Sequence, residues 1–279
     1  MVNGIEEFAR KALEEDIGRG DLFERCEELD AGKVKKALIR AKSGCVFAGT
    51  PYAESIAKEM GITISFDIKD GEEIEKNRVI AVLSGAGTAL LKAERTLLNV
   101  LQHASGVATQ TRRYAKLIEG YGTLLLDTRK TRPLLRDLEK YAARTGGAVN
   151  HRFGLDDCLM IKDTHLSVLG DLKEFIGKAR KHIPWTAAIE VECENLAAAR
   201  VALEAGAEIV MCDNMDRETI REVLRLRDEI APQTKIEASG NVTAETIVSY
   251  AALGVDAISC GSLIHQAVWP DFSMRIING

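Results

Sequence analysis

The chain has 279 residues, a formal net charge of -5, and 46% hydrophobic and 28% charged residues. That is the make-up of a soluble globular protein with room for one large domain or two. A pI near 5.7 argues against a general nucleic-acid binder, which carries a basic excess, and no apolar run approaches the roughly 20 residues a membrane-spanning helix needs.

The first element predicted is an amphipathic helix over 4–15, in "MVNGIEEFARKALEEDIG". That stretch lacks the basic start and small-residue cleavage site of a signal peptide and is too acidic for a transit peptide, so a cytoplasmic location is expected. Three β-like runs follow, at 34–42, 62–68 and 79–85, separated by turn signals such as "KDGEE". A long helical pattern then begins at "TALLKAERTLLNVLQHASG", in which Gly106 either interrupts the helix or marks a close contact.

From about residue 120 the pattern alternates. Apolar runs at 123–127, 158–163, 187–193, 208–213, 235–239 and 256–260 are separated by helical stretches at 172–182, 195–206, 217–230 and 244–254. Strand and helix repeated in this way predict parallel strands buried on both faces. Six strands, with a seventh near "GGAVNHR", fall short of a full eight-unit barrel. The fold class expected is therefore α/β, with an N-terminal α/β sandwich domain and a C-terminal incomplete, six- to seven-stranded parallel α/β barrel. A doubly wound sheet is the alternative, weakened because no GxGxxG follows the first strand. Domain bounds are placed at 1–105 for the first domain, with the tail 266–279 packing on it, and 106–265 for the barrel.

Six cysteines, Cys26, Cys45, Cys158, Cys193, Cys212 and Cys260, form no CxxC pair or zinc-type spacing. Four sit in short apolar runs, where a thiol behaves as a small core hydrophobe in a reducing compartment.

The ends of the barrel strands carry the chemistry, because in such barrels they converge on one mouth. In order they bear Asp127-Thr128-Arg129-Lys130, Lys162-Asp163, Glu190 and Glu192, Asp213-Asn214, Ser239-Gly240-Asn241 and Cys260-Gly261-Ser262. The early strands supply cations, with His151 and Arg152 joining Arg129, Lys130 and Lys162. The middle strands supply carboxylates. The last two turns supply small residues whose N–H groups suit a phosphate. Arg132 and Arg136 fit a solvated helix flank, Asp213 a helix N-cap, and His151 the cap of a turn. Glu190 and Glu192 alternate with Val191, so both face one side of their strand. Lys162 is open to a second reading, as a Schiff-base nucleophile.

These residues resemble the quinolinate phosphoribosyltransferase family, the decarboxylating nicotinate-nucleotide pyrophosphorylases of NAD biosynthesis. The resemblance rests on "EDIGRGD" (15–21), "AERTLLNVLQHASGVAT" (93–109), "DTRKT" (127–131), "GGAVNHRFGLDD" (146–157), "IKD" (161–163), "IEVE" (189–192), "DN" (213–214), "EASG" (237–240) and "VDAIS" (255–259). It implies transfer of a phosphoribosyl group from phosphoribosyl pyrophosphate to quinolinate with loss of CO₂, Mg²⁺ as cofactor, and a homodimer with its active sites at the interface, the choice between dimer and hexamer being left open. It places quinolinate among Arg129, His151, Arg152 and Lys162, with Arg95 reaching in from the partner subunit. Thr128 is among the substrate-binding residues, Lys130 lies near the pyrophosphate, and Glu192 and Asp213 hold the ribose and, through substrate or water, the magnesium. Ser239, Gly240 and Asn241, with Cys260, Gly261 and Ser262, cradle the 5′-phosphate. The catalytic set implied is Lys130, Lys162, Glu192 and Asp213. The chain departs from the family pattern at Leu134, where glycine is common after "DTRKT" and proline, and at Thr164 and Asn241.

Overall fold

The structure, a computed structural model, describes residues 2–26 and 33–277, apart from the side chains of Val2, Asn3, Cys26, Asp163 and Leu166. In chain order the elements are α1 (Val2–Ile17), α2 (Leu22–Cys26), β1 (Val34–Ala41), β2 (Cys45–Val46), α3 (Thr50–Glu59), β3 (Thr63–Phe66), β4 (Glu73–Ile74), β5 (Val79–Ala86) and α4 (Gly87–Leu117). They continue with β6 (Leu124–Leu126), α5 (Arg136–Gly146), β7 (Leu159–Ile161), α6 (Asp163–Leu166), α7 (Leu172–Ala179), β8 (Ile189–Cys193), α8 (Leu196–Glu204), β9 (Ile209–Asp213) and α9 (Arg217–Ile230). The last are β10 (Lys235–Ser239), α10 (Ile247–Ala251), β11 (Ala257–Ser259), α11 (Ser262–His265) and β12 (Phe272–Ile277).

Two compact units divide the chain: Met1–Gln110 with Asp137–Gly146 and Ala267–Gly279, and Thr111–Arg136 with Gly147–Gln266. The segment 137–146, which the sequence reading assigned to the barrel, belongs to the first unit.

In the first unit the strands form an antiparallel sheet in the order β12-β1-β5-β3. Period-two alternation on β1 buries Ala37, Ile39 and Ala41 on one face and leaves Lys36 and Arg40 exposed on the other. Helix α4 runs on through Gly106 without a break, so the glycine is a close contact. A Cβ there would lie 2.7 Å from the Val268 carbonyl oxygen, a distance that only a hydrogen on Cα permits. Beside it the Trp269 indole N–H donates to His103 Nδ1 at 2.7 Å, and His103 Nε2 lies 2.8 Å from Glu139 Oε1. An Nδ1 that accepts leaves the proton of the ring on Nε2, where the buried Glu139 carboxylate receives it.

In the second unit six parallel strands form a sheet in the order β6-β11-β10-β9-β8-β7. The order runs stepwise from β7 to β11 and sets the last strand against the first, β6. A doubly wound sheet reverses in its middle, so this order belongs to a barrel. The seventh strand expected near "GGAVNHR" reduces to a single parallel bridge from Val149 to Leu126, which leaves the barrel incomplete. Helices α7, α8 and α9 begin where Asp171, Asn195 and Asp216 accept the N–H of Glu174, Ala198 and Thr219. The N-cap of α9 is therefore Asp216, and Asp213 is free for other work. Helix α10 is shorter than the predicted 244–254, because Thr246 Oγ accepts the Thr243 N–H at 2.9 Å, a local turn that competes with the helix.

Leu134 adopts φ +65° and is almost fully exposed. Its side chain gains no contact for the strain of a left-handed backbone. Leu134→Gly is expected to raise stability by about 0.5–1 kcal/mol, relief of the strain being partly offset by glycine's larger entropy in the unfolded chain. Urea denaturation of the two proteins measures the difference.

Candidate active site

A cavity of about 310 Å³ opens in the second unit, lined entirely by strand ends and the loops that follow them. After β6 come Thr128, Arg129 and Lys130, and after the Val149 bridge come His151 and Arg152. Met160 and Lys162 approach from β7, and Glu192, Met211, Asp213, Ser239 and Ser259 from β8, β9, β10 and β11. Nine residues named from the sequence thus meet in one place: Thr128, Arg129, Lys130, His151, Arg152, Lys162, Glu192, Asp213 and Ser239. Arg95 lies on α4 in the first unit and is not among the lining residues.

Buried carboxylates hold the cationic side from behind. Asp127, with no exposed surface, accepts the His151 N–H at 2.9 Å and the Asn150 side-chain amide at 2.6 Å. The Arg152 guanidinium donates to the Cys158 carbonyl at 3.2 Å. Arg136 is no mere helix flank: it donates to the Phe153 carbonyl at 2.8 Å and to Thr131 Oγ at 3.2 Å, tying two cavity loops together. Burial lowers the pKa of Arg129, and the neighbouring Arg152 and Arg136 lower it further. Its Nε is buried with no hydrogen-bond partner among the described residues. A buried guanidinium N–H without an acceptor is costly, and an anion in the cavity supplies that acceptor.

The opposite wall is acidic. Glu192 and Asp213 face the cavity, and Glu192 forms an ion pair with Lys162 across it. Glu190 lies two residues before Glu192 on the same strand face, fully buried. His151 Nε2 lies 3.4 Å from Glu190 and 3.4 Å from Glu237, a residue the sequence reading passed over. The signal was there, since Glu237 stands two residues before Ser239 on β10 and so shares its face. Burial opposes a charge on His151, but the two carboxylates outweigh it and push its pKa up to about 10. Burial also pushes Glu190 up, with His151 opposing and Glu237 reinforcing the shift.

The last turns are built on left-handed backbone. Gly240 has φ +95°, Asn241 φ +47° and Asn214 φ +53°. Asn241 thus takes up a conformation that Asn tolerates better than most residues. Its side-chain amide donates to Asn214 Oδ1 at 3.0 Å, and the Asn214 N–H donates to the Ser239 carbonyl at 2.9 Å. The side chains of Cys260 and Ser262 have partners within the fold. The Cys260 N–H is taken by the Leu126 carbonyl at 3.0 Å, and its buried thiol lies 3.0 Å from Ser262 Oγ. Ser262 in turn donates to the Tyr114 hydroxyl at 3.3 Å. Both side chains therefore shore up the turn from below, because the sheet ladder and the packing claim their polar groups. Gly261 remains beside the site: a Cβ on it would lie 2.9 Å from Lys130 Cδ and 3.3 Å from Nε2 of His265, another residue the sequence reading missed. Burial holds the thiols of Cys45, Cys158, Cys193 and Cys212 up at about 12, so none of these four is a nucleophile at neutral pH.

Fold and site together define an α/β-barrel transferase that handles anionic substrates, with cations on one wall and carboxylates on the other. The family model for the C-terminal domain of quinolinate phosphoribosyl transferase matches residues 107–275, and that for its N-terminal domain matches residues 22–105. The chain belongs to the quinolinate phosphoribosyl transferase family. It is 40% identical over 268 residues to a probable carboxylating nicotinate-nucleotide pyrophosphorylase of Bacillus subtilis, covering 94% of this chain and 90% of that one. A Synechocystis protein of the same description is 39% identical over 275 residues, covering 98% and 92%. The solved nicotinate-nucleotide pyrophosphorylase of Francisella tularensis superposes with a TM-score of 0.91 at 34% identity, covering 99% of this chain and 96% of that one. Among the described residues no helix is long and apolar enough to cross a membrane.

Proposed function

We propose that the cavity carries out the reaction of this family: the ring nitrogen of quinolinate displaces pyrophosphate from C1 of phosphoribosyl pyrophosphate, and the carboxylate next to that nitrogen leaves as CO₂, giving nicotinate mononucleotide. The observation that carries this reading is the buried, unpartnered Arg129 Nε in a wall that also holds Arg152, Lys162 and Lys130. Adjacent carboxylates on an aromatic ring are a dianion, and guanidinium forks match carboxylates in bidentate fashion. Arg129, Arg152 and Lys162 take the two carboxylates, and Arg95 of a partner subunit closes the pocket in a homodimer.

Lys130, whose backbone N–H donates to Thr128 Oγ at 3.0 Å, stands beside Gly261 and neutralises the departing pyrophosphate. The turns 239–241 and Gly261 hold the 5′-phosphate. Glu192 and Asp213 orient the ribose hydroxyls and stabilise positive charge at C1 as the bond to pyrophosphate lengthens. No protein nucleophile takes part. Positioning and electrostatics account for the rate. Mg²⁺ suits the two carboxylates, since it takes one or two of them with substrate and water oxygens. Glu192 and Asp213 would hold it through substrate or water, where it would supply charge neutralisation for the pyrophosphate. A Lys162 Schiff base is disfavoured, because that amine is ion-paired with Glu192 instead of lying in an apolar pocket. The acid-rich composition fits no nucleic-acid partner, and a cytoplasmic place suits the reaction.

The test is a mass-resolved assay with quinolinate, phosphoribosyl pyrophosphate and Mg²⁺, run beside nicotinate as the alternative acceptor. Nicotinate mononucleotide and CO₂ from quinolinate alone are expected. Product from nicotinate alone, or none from folded protein, refutes the reading. Arg152→Ala is expected to raise the Kd of quinolinate by about 10- to 100-fold, the loss of a charged hydrogen-bond partner, and that of phosphoribosyl pyrophosphate by far less. Isothermal titration with each substrate separates the two.

A further inference from the structure

Residues 267–271, the strap that leads from α11 to β12, lie against helix α4 through contacts that centre on one buried imidazole. Gly106 admits the Val268 carbonyl, and the Gln102 side-chain amide donates to the Pro270 carbonyl at 2.9 Å. Between them the Trp269 indole N–H donates to Nδ1 of His103 at 2.7 Å, with the ring centroids 5.2 Å apart. On its far side the imidazole meets Glu139 of α5, Nε2 to Oε1 at 2.8 Å. His103 is 2% exposed and Glu139 has no exposed surface, whereas Trp269 is 44% exposed. The proposed reaction uses none of the three.

We propose that these bonds form a pH-sensitive latch, in which a second proton on His103 releases the Trp269 side chain into water and leaves the backbone of the strap in place. The indole bond needs a lone pair on Nδ1, which the neutral ring offers when its proton is on Nε2. A doubly protonated ring turns Nδ1–H toward the indole N–H, and two donors 2.7 Å apart repel each other. One partner must leave, and burial decides which. Glu139 cannot reach water, and its bond to a charged ring is roughly twice as strong as one between neutral groups. The indole is nearly half exposed, so its N–H can donate to water instead. The bond to Trp269 is therefore intact while His103 is neutral and is lost as falling pH charges the ring.

The charges around the ring come from α5 and the strap. On α5, Glu139 touches Nε2 and favours a charged ring, and the fully buried Lys140 that follows it opposes one. On the strap, Asp271 is paired with Lys42 at 3.4 Å. On α4 the residues one turn from His103, namely Asn99, Val100, Gly106 and Val107, carry no charge. The Gln102 bond and the pairing of β12 with β1 do not involve His103, so they hold the strap when the indole leaves.

The experiment is NMR of the full-length protein labelled with ¹⁵N at tryptophan and histidine, from about pH 8 to about pH 5, the span in which histidine ordinarily changes charge. The chain has two tryptophans. The Trp269 indole signal is identified by its loss in Trp269→Phe, and Trp185, 95% exposed, is the solvated reference. At high pH the Trp269 N–H is expected downfield of that reference and in slow exchange with water. As pH falls it moves to the reference position, and its exchange relative to Trp185 rises about tenfold or more, with the same midpoint as the ¹⁵N titration of the His103 ring. His103→Gln abolishes the response. Glu139→Gln moves the midpoint to lower pH, because a neutral amide no longer favours a charged ring. The latch is overturned by a Trp269 signal that stays in place across the span, by a response that persists in His103→Gln, or by a midpoint that rises in Glu139→Gln. A release of the indole that coincides with loss of far-ultraviolet circular dichroism also overturns it, since unfolding needs no latch. Where the buried substitutions do not fold, the wild-type spectrum decides: coincident midpoints for Trp269 and His103 support the latch, and separate midpoints overturn it.

Discussion

Glu192→Gln is expected to lower kcat by about a hundred- to a thousandfold while the fold survives. The substitution keeps the shape of the side chain and removes its charge. In the resting cavity that charge is paired with Lys162, whose ammonium is part-exposed, at 39% of its side-chain surface. Lys162 can therefore be solvated when its partner is neutralised, and the cost to stability is small. The reaction is affected differently. Positive charge grows at the ribose C1 as pyrophosphate departs, and a fixed carboxylate in a partly water-excluded site stabilises that charge more than it stabilises the bound substrate. The loss is expected in kcat, with the Kd for quinolinate little changed or tightened, since Lys162 is released to meet a carboxylate. Rapid-quench single turnover measures the chemical step, and circular dichroism checks the fold. A kcat within about threefold of wild type would remove Glu192 from the chemistry.

Gly240→Ala is expected to be the most damaging single-methyl change at the turn after β10. A Cβ at this position would lie 2.3 Å from Asn214 Oδ1 and 2.7 Å from the Asn214 backbone nitrogen. The side-chain oxygen can swing away, although it holds Asn241 at 3.0 Å. The backbone nitrogen cannot, because its N–H is bonded to the Ser239 carbonyl. The φ of +95° adds strain that L-residues seldom bear. Together these cost about 3 kcal/mol or more and displace the turn that joins β10 to the site. Denaturant unfolding gives the stability loss. The KM for phosphoribosyl pyrophosphate is expected to rise more than that for quinolinate, and unchanged stability would show that the turn yields easily.

Much of this was legible in local pattern. Period-two alternation in "IEVEC" put Glu190 and Glu192 on one face, and they are there. Regular change between apolar runs and helical stretches predicted the parallel strands, and strand ends pointed to the residues that meet at the cavity. Other parts were not legible locally. Strand β12 pairs with β1 across most of the chain, Ala41 opposite Phe272, and nothing near either strand names its partner. Cys260 and Ser262 read as phosphate-facing because small residues end a strand there. The Cys260 N–H and the two side chains also bond Leu126, Val242 and Tyr114, partners from other elements that no local pattern names. Leu134 read as a departure from the family's glycine, yet its φ of +65° is left-handed backbone of the kind a glycine would supply.

By itself the sequence determined which segments are strand or helix, which side chains share a face, and the signs of charge at each strand end. Those properties depend on spacings of two to four residues, and backbone geometry converts such spacings directly into faces. Only the tertiary structure decided that β6 closes against β11, that Asp127 seats the loop at His151, and that Glu190 and Glu237 meet one imidazole from separate strands. The reason is physical: strand order and register are chosen by burial summed over the whole barrel, and residues distant in sequence become neighbours only when that sum is settled.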